Sequence, residues 1–210
     1  MIMDDIRKIS AFRRKPVSFF TSSFLFGGII MNHTKNLIMT ALCIALGIVL
    51  PVAFHSIPNA GSIFLPMHIP VLLCGLICGP YYGLACGVLA PLLSSLITGM
   101  PPMGYLPGML CELAVYGLVS GILLRVVNTK HNIANIYISL IGAMICGRVT
   151  YGILNSLIFQ AGDYSMQIWL TSAFVTSIPG IIIQLVVIPI LVFALQKARL
   201  INHESLRHAG

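Results

Sequence analysis

Two ionisable side chains stand in otherwise apolar sequence: Glu112 within LPGMLCELAVYG and Arg148 within ISLIGAMICGRVTYG. A charge at the centre of a membrane span costs roughly 2.5 to 3.5 kcal/mol on insertion scales, so such groups face a protein interior and mark a functional path. Arg148 has a planar fork that donates two parallel hydrogen bonds to a carboxylate or phosphate. Glu112 accepts from an amine, a hydroxyl or a ring N–H. Polar neighbours at helical spacing share their faces: Tyr116 follows Glu112 by four, and Tyr151 and Asn155 follow Arg148 by three and seven. Trp169, followed by Thr171, Ser172, Thr176 and Ser177, lies near one end of the last apolar segment. His55 and His68 flank a loop that holds Pro58, Gly61 and Pro66, and His68 is the candidate there to touch a ligand. Together Glu112, Tyr116, Arg148, Tyr151, Asn155, His68 and Trp169 are the chemistry of a pocket for a polar solute, with aromatic rings to stack a flat one. The bland alternative is a buried ion pair that locks two helices, with the uncharged groups as interhelical glue.

Other chemistries lack their signatures. The chain has no G-x-x-x-x-G-K-[ST] for nucleotide phosphates, no H-E-x-x-H for a zinc protease and no G-x-S-x-G elbow. Its six cysteines (Cys43, Cys74, Cys78, Cys86, Cys111 and Cys146) fall in apolar stretches without a C-x-x-C pair and read as small buried apolar residues. Catalytic residues, metal ligands and cofactors are therefore expected to be none.

The elements that must position these residues are membrane helices. Of 210 residues, 58% are hydrophobic and 8% charged, against about a quarter charged in a soluble domain. From Asn36 through Cys111, 76 residues pass without an Asp, Glu, Lys or Arg. At roughly 20 residues per crossing, the chain from Asn36 to Lys197 accommodates six helices. They are expected near 36–54, 66–78, 83–97, 105–127, 133–159 and 167–196, divided by turn signals such as Gly79-Pro80 and Gly99-Met100-Pro101-Pro102. The fold class is an all-α integral membrane protein, a bundle of six transmembrane helices. The second and third are short, which calls for tilt, a kink or extension through flanking prolines.

Orientation follows from charge. Six crossings put Lys35, Arg125, Lys130, Lys197 and Arg199 on one side and Asp163 on the other, so the positive-inside rule places both termini in the cytoplasm. The net charge of +7 is explained in the same way, and nucleic acid is not an expected partner. Glu112 then lies about seven residues, or about 10 Å, below the outer end of its helix, and Arg148 about 22 Å up from the inner end of its own. Both fall in the outer half. The domain division expected is a basic amino-terminal extension over 1–31, a six-helix membrane domain over 32–199 and a cytoplasmic tail over 200–210. The extension carries Arg7, Lys8, Arg13, Arg14 and Lys15; it resembles a signal peptide in part, and a native start at Met31 is the alternative.

Three stretches carry a family resemblance: FLPMHIPVLLCG at 64–75, CGPYYG at 78–83, and PGMLCE at 107–112 with YGLVSG at 116–121. They resemble the substrate-binding S components of energy-coupling factor (ECF) vitamin transporters, over about residues 36 to 197. The resemblance implies a six-helix protein of the bacterial cell membrane that binds a water-soluble vitamin or precursor near its outer face, pantothenate-, pyridoxine- or nicotinate-like. It also implies partners: a transmembrane coupling (T) protein and two cytoplasmic ATPase subunits, with the lipid bilayer around them. Ala41 and Ala45, in an A-x-x-x-A motif on the first helix, match the family's contact with the coupling protein. The alternatives from other classes are a membrane-embedded enzyme using Glu112 as general base and a structural membrane subunit.

Overall fold

The structure is a computed structural model that describes residues 18–54, 60–127, 129, 131–156, 166–171 and 175–198. The chain divides into two compact units, Met1–Ile38 and Met39–Gly210. Within the described residues all regular structure is helical: α1 (Ser18–Ala53), α2 (Ala60–Phe64), α3 (His68–Cys78), α4 (Pro80–Thr98), α5 (Leu106–Val126), α6 (Asn132–Leu154), α7 (Met166–Leu170) and α8 (Ile178–Lys197). This is the outcome lipid demands of an uncharged chain, because a helix satisfies its backbone donors and acceptors without water. Five segments are long and apolar enough to cross a membrane: His33–Ala53 within α1, then α4, α5, α6 and α8. The sixth, α3, has 11 residues, about 16 Å at the helical rise. Every α3 residue except Ile69 is buried, so α3 is surrounded by protein and its length is not set by the bilayer.

Outward-facing residues are apolar: Leu42, Leu46 and Val49 on α1, Ile141, Ile145 and Val149 on α6, and Ile182, Val186 and Ile190 on α8. Helices apolar on both faces belong in a lipid environment. Inside, α5 packs against α3, α4 and α6. Glycines allow the closest approaches: a Cβ at Gly83 would meet the Gly117 carbonyl, one at Gly87 the Leu113 carbonyl and one at Gly121 the Pro80 backbone. The small-residue pairs Gly83/Gly87 and Gly117/Gly121 are therefore the seam along which α4 and α5 touch backbone to backbone.

Two turns set the registers that matter for the site. Leu65 adopts a φ of 50°, a left-handed conformation uncommon outside glycine. The His68 amide donates to the Leu65 carbonyl at 3.1 Å, and α3 starts at that point. At the end of α4, Gly99 (φ 71°) caps the helix, while the Ser94 and Ser95 hydroxyls donate to the Met100 and Pro101 carbonyls at 2.8 and 3.0 Å. These bonds tie down the link into α5.

Four expectations need correction. The last helix does not run unbroken from residue 167: α7 ends at Leu170 and α8 begins at Ile178. Pro179 explains the late start, since its missing N–H and fixed φ suit a first helical turn. The third helix takes in Pro80 and reaches Thr98, which makes it a full span. Of the cysteines, Cys43, Cys74, Cys78 and Cys86 are buried, but Cys111 is half-buried and Cys146 exposed on the outward face of α6. The first helix also begins before residue 36, at Ser18. Lys130, Asp163 and Arg199, on which the orientation drew, lie outside the described residues, as do His55, Pro58 and Ser172.

Candidate functional site

α5 and α6 run antiparallel, and three contacts fix their register around the charges. Near the start of α5, the Cα of Gly108 approaches the side chains of Tyr151 and Asn155, where an added Cβ would lie 3.0 Å from each. One turn further, Glu112 meets Arg148. Another turn on, the Tyr116 ring lies over Gly147, where any Cβ would overlap it. Glu112 and Tyr116 thus project toward the helix that carries Arg148, Tyr151 and Asn155, as their spacing of three and four predicts.

The Arg148 Nη1 atom is 3.3 Å from Glu112 Oε1. His68 Nε2 comes to 3.9 Å from the same oxygen. The His68 and Tyr116 rings meet edge to face, with centroids 5.3 Å apart. All four residues are buried: Tyr116 is 1% exposed, His68 3%, Glu112 4% and Arg148 7%. His68, which flanks a loop in the sequence, is therefore buried rather than solvated. It is the first residue of α3, turned inward by the Leu65 bend.

The cluster has more hydrogen-bonding capacity than the protein uses. Both ring nitrogens of His68, the Tyr116 hydroxyl and Arg148 Nη2 are buried without a hydrogen-bond partner, while Glu112 Oε1 is held by its ion pair with Arg148. Leaving a buried donor or acceptor unpaired costs about 1 to 3 kcal/mol, and more for a charged group. Native interiors hold few such atoms; here four of them fall on three neighbouring residues around the ion pair.

Trp169 reaches the cluster from α7. Its indole N–H donates to the Arg148 carbonyl at 3.1 Å, and the ring lies over Gly152. Tyr151 and Asn155 sit toward the end of α6, and the Asn155 amide is bonded to the Tyr151 carbonyl of its own helix at 2.9 Å. The structure thus joins His68, Glu112, Tyr116 and Arg148 directly. Trp169 joins through the backbone, while Tyr151 and Asn155 form an adjoining layer at Gly108. Thr171 is exposed and bonds its own helix at Gln167, and Thr176 is exposed as well. Ala41 and Ala45 both face outward on α1, between the buried Thr40, Cys43 and Gly47.

A buried side chain with no hydrogen-bond partner was missed on α8. Gln184 on α8 is fully buried, and neither its Oε1 nor its Nε2 has a hydrogen-bond partner. Its signal in the sequence was its setting, a lone amide in the run IPGIIIQLVVIPILVF. Among the described residues no group of three or more His, Cys, Asp or Glu side chains converges as a metal site would require.

The family model of the ECF transporter substrate-specific component matches residues 35–192. The chain belongs to this family. No curated protein and no solved structure matches it. As an ECF substrate-specific component it is a multi-pass membrane protein and a subunit of a transporter, and its family accounts for a substrate site and for partner subunits. The matched segment contains α3 through α6 in full, and with them His68, Glu112, Tyr116 and Arg148.

Proposed function

We propose that this S component captures a water-soluble vitamin or vitamin precursor, of pantothenate, pyridoxine or nicotinate type, for ATP-driven uptake. The observation that carries the reading is the buried cluster of His68, Glu112, Tyr116 and Arg148, whose unpaired atoms supply donors and acceptors together. A solute that pairs with them removes the cost of leaving them bare, which is a source of affinity in a site closed to water. Arg148 and Glu112 orient the solute, His68 and Tyr116 read its polar groups, and Trp169, Tyr151 and Asn155 bound the site on the side of α6 and α7.

Uptake requires partners. The outward face at Ala41 and Ala45 receives the transmembrane coupling protein, which works with two cytoplasmic ATPase subunits. The chain's family is the ground for a bacterial cell membrane protein, and the charge pattern supports both termini in the cytoplasm, and so a site toward the outside. Equilibrium dialysis of the purified protein against a defined mixture of pantothenate, pyridoxine, nicotinate and nicotinamide tests the reading. The wild type is expected to retain one member, and Arg148→Ala and Glu112→Gln each to lose it by at least about tenfold, the scale of one charged hydrogen bond. Full affinity in both variants would overturn the site.

A further inference from the structure

We propose that Gln184 is a specificity-determining residue of the same site, and that the solute it selects is a net-neutral nitrogen heterocycle with a donor and an acceptor side by side on one edge. The inference rests on the reading of the Glu112–Arg148 cluster as the substrate site.

Position comes first. The buried stripe of α8 is Gly180, Gln184, Ile188 and Val192, spaced four apart on one face. At the top of that stripe Gly180 abuts Ile63 and Phe64 of α2, where a Cβ would lie 2.7 to 3.0 Å from their backbone. Gln184 is one turn deeper, about 6 Å. From the same Phe64 contact the chain bends at Leu65 and starts α3 at His68. Gln184 and His68 therefore descend from one shared level, on helices that pack against each other, and α8 also packs against α6, which carries Arg148. We place Gln184 in the layer of the cluster on this ground: it lies one turn below the Phe64 contact, on the helix that packs against those of His68 and Arg148.

Chemistry follows from what Gln184 lacks. As interhelical glue it would be bonded to a neighbouring helix, yet both its amide oxygen and its amide nitrogen are without a partner in a fully buried position. An amide offers one acceptor and two donors in a fixed plane. Its complement is an edge with a donor beside an acceptor, as in a carboxamide, a lactam or a hydroxylated pyridine. Charge restricts the solute further. The cluster holds one carboxylate and one guanidinium 3.3 Å apart, so the charges of this pair cancel. An anionic solute on Arg148 Nη2 would bring a second negative charge beside Glu112 and leave it uncompensated in a buried site. A neutral solute uses the same unpaired atoms without that penalty. The edge-to-face rings of His68 and Tyr116 supply an aromatic wall suited to a flat ring.

The test uses the full-length protein in lipid nanodiscs, dialysed against an equimolar mixture of nicotinamide, pyridoxine, nicotinate and pantothenate, with the retained solute identified by mass spectrometry. The wild type is expected to retain a neutral member, nicotinamide or pyridoxine, at least tenfold over either anion. Gln184→Met, which keeps the length of the side chain and removes the amide, is expected to lose at least tenfold in affinity for that member while its thermal midpoint in the absence of solute stays the same or rises. Gln184→Glu should lose affinity too, since it removes the donor. Retention of nicotinate or pantothenate over the neutral pair overturns the inference. So does native affinity in Gln184→Met, or a midpoint that falls in step with affinity, which marks a packing role. If Arg148→Ala and Glu112→Gln lose binding while Gln184→Met does not, only the role of Gln184 fails. A wild type that retains no member of the mixture overturns the binding reading itself, and this inference with it.

Discussion

Trp169 donates its indole N–H to the carbonyl of Arg148 at 3.1 Å, and its ring lies over Gly152, one helical turn beyond. A side chain on the short helix α7 is thereby latched to the helix that presents the guanidinium. The seat exists because residue 152 is glycine: a Cβ there would overlap the indole. Trp169 is the chain's one tryptophan, so its emission reports on this contact alone.

Gly152→Val is expected to expel the indole from its seat and shift the emission to longer wavelength. Solute affinity should fall roughly threefold to tenfold, the worth of one ordinary hydrogen bond and its packing. Fluorescence and dialysis on one preparation check this. Unchanged emission would show that Trp169 does not rest on Gly152.

Replacing the ion pair as a unit separates folding from binding. Buried pairs exchanged for apolar residues of similar size are often neutral or stabilising, whereas removing one partner costs about 3 to 5 kcal/mol. The double variant Glu112→Leu with Arg148→Met should therefore keep or raise the thermal midpoint and lose solute binding. Arg148→Ala alone should lose both. Retained affinity in the double variant would assign the pair to helix locking.

The α4–α5 seam gives a purely structural prediction. Gly117→Val places a branched side chain against the Gly83 carbonyl, on backbone that cannot yield cheaply. Overpacking of this kind costs about 1 to 3 kcal/mol, occasionally more. A lower thermal midpoint, with lower yield in detergent, is the expected result, and a wild-type midpoint would contradict the seam.

Orientation is open to cysteine labelling in intact cells. In a background without native cysteines, a probe at Asp163 should react with an impermeant reagent added outside, and one at Lys130 should not. The reverse pattern would invert the topology.

Ala41 and Ala45 face outward one turn apart, and two methyl groups leave a shallow face for another helix. Ala41→Trp with Ala45→Trp should abolish uptake by cells that hold the whole transporter, while affinity of the purified protein stays within about twofold, below the contribution of a single hydrogen bond. Normal uptake, or affinity lost in parallel, would remove this face as the docking surface.

The sequence by itself determined the environment and the outline of the bundle. A run of 76 residues without a charge points to helices, because only helices and closed barrels satisfy a backbone in lipid and barrel strands alternate apolar with polar residues. The turns at Gly79-Pro80 and Gly99 follow from backbone chemistry that is local to those residues. Glu112, Arg148 and their neighbours at i+3, i+4 and i+7 were legible for a related reason: charge inside apolar sequence is costly wherever the chain folds, and helical periodicity decides which residues share a face.

What only the tertiary structure decided is which faces meet. His68 appears in the sequence as a residue beside a loop, and the bend at Leu65 turns it into the cluster, 3.9 Å from Glu112. α3 is too short to cross a bilayer but stands buried among longer helices, an arrangement that length and hydropathy do not encode. Gln184 was hidden because a single amide in an apolar helix is compatible with glue, with a lipid-facing polar group or with a site. Its meaning depends on having no partner across a packed interface, and such interfaces arise from contacts between residues far apart in the chain, which no local pattern records.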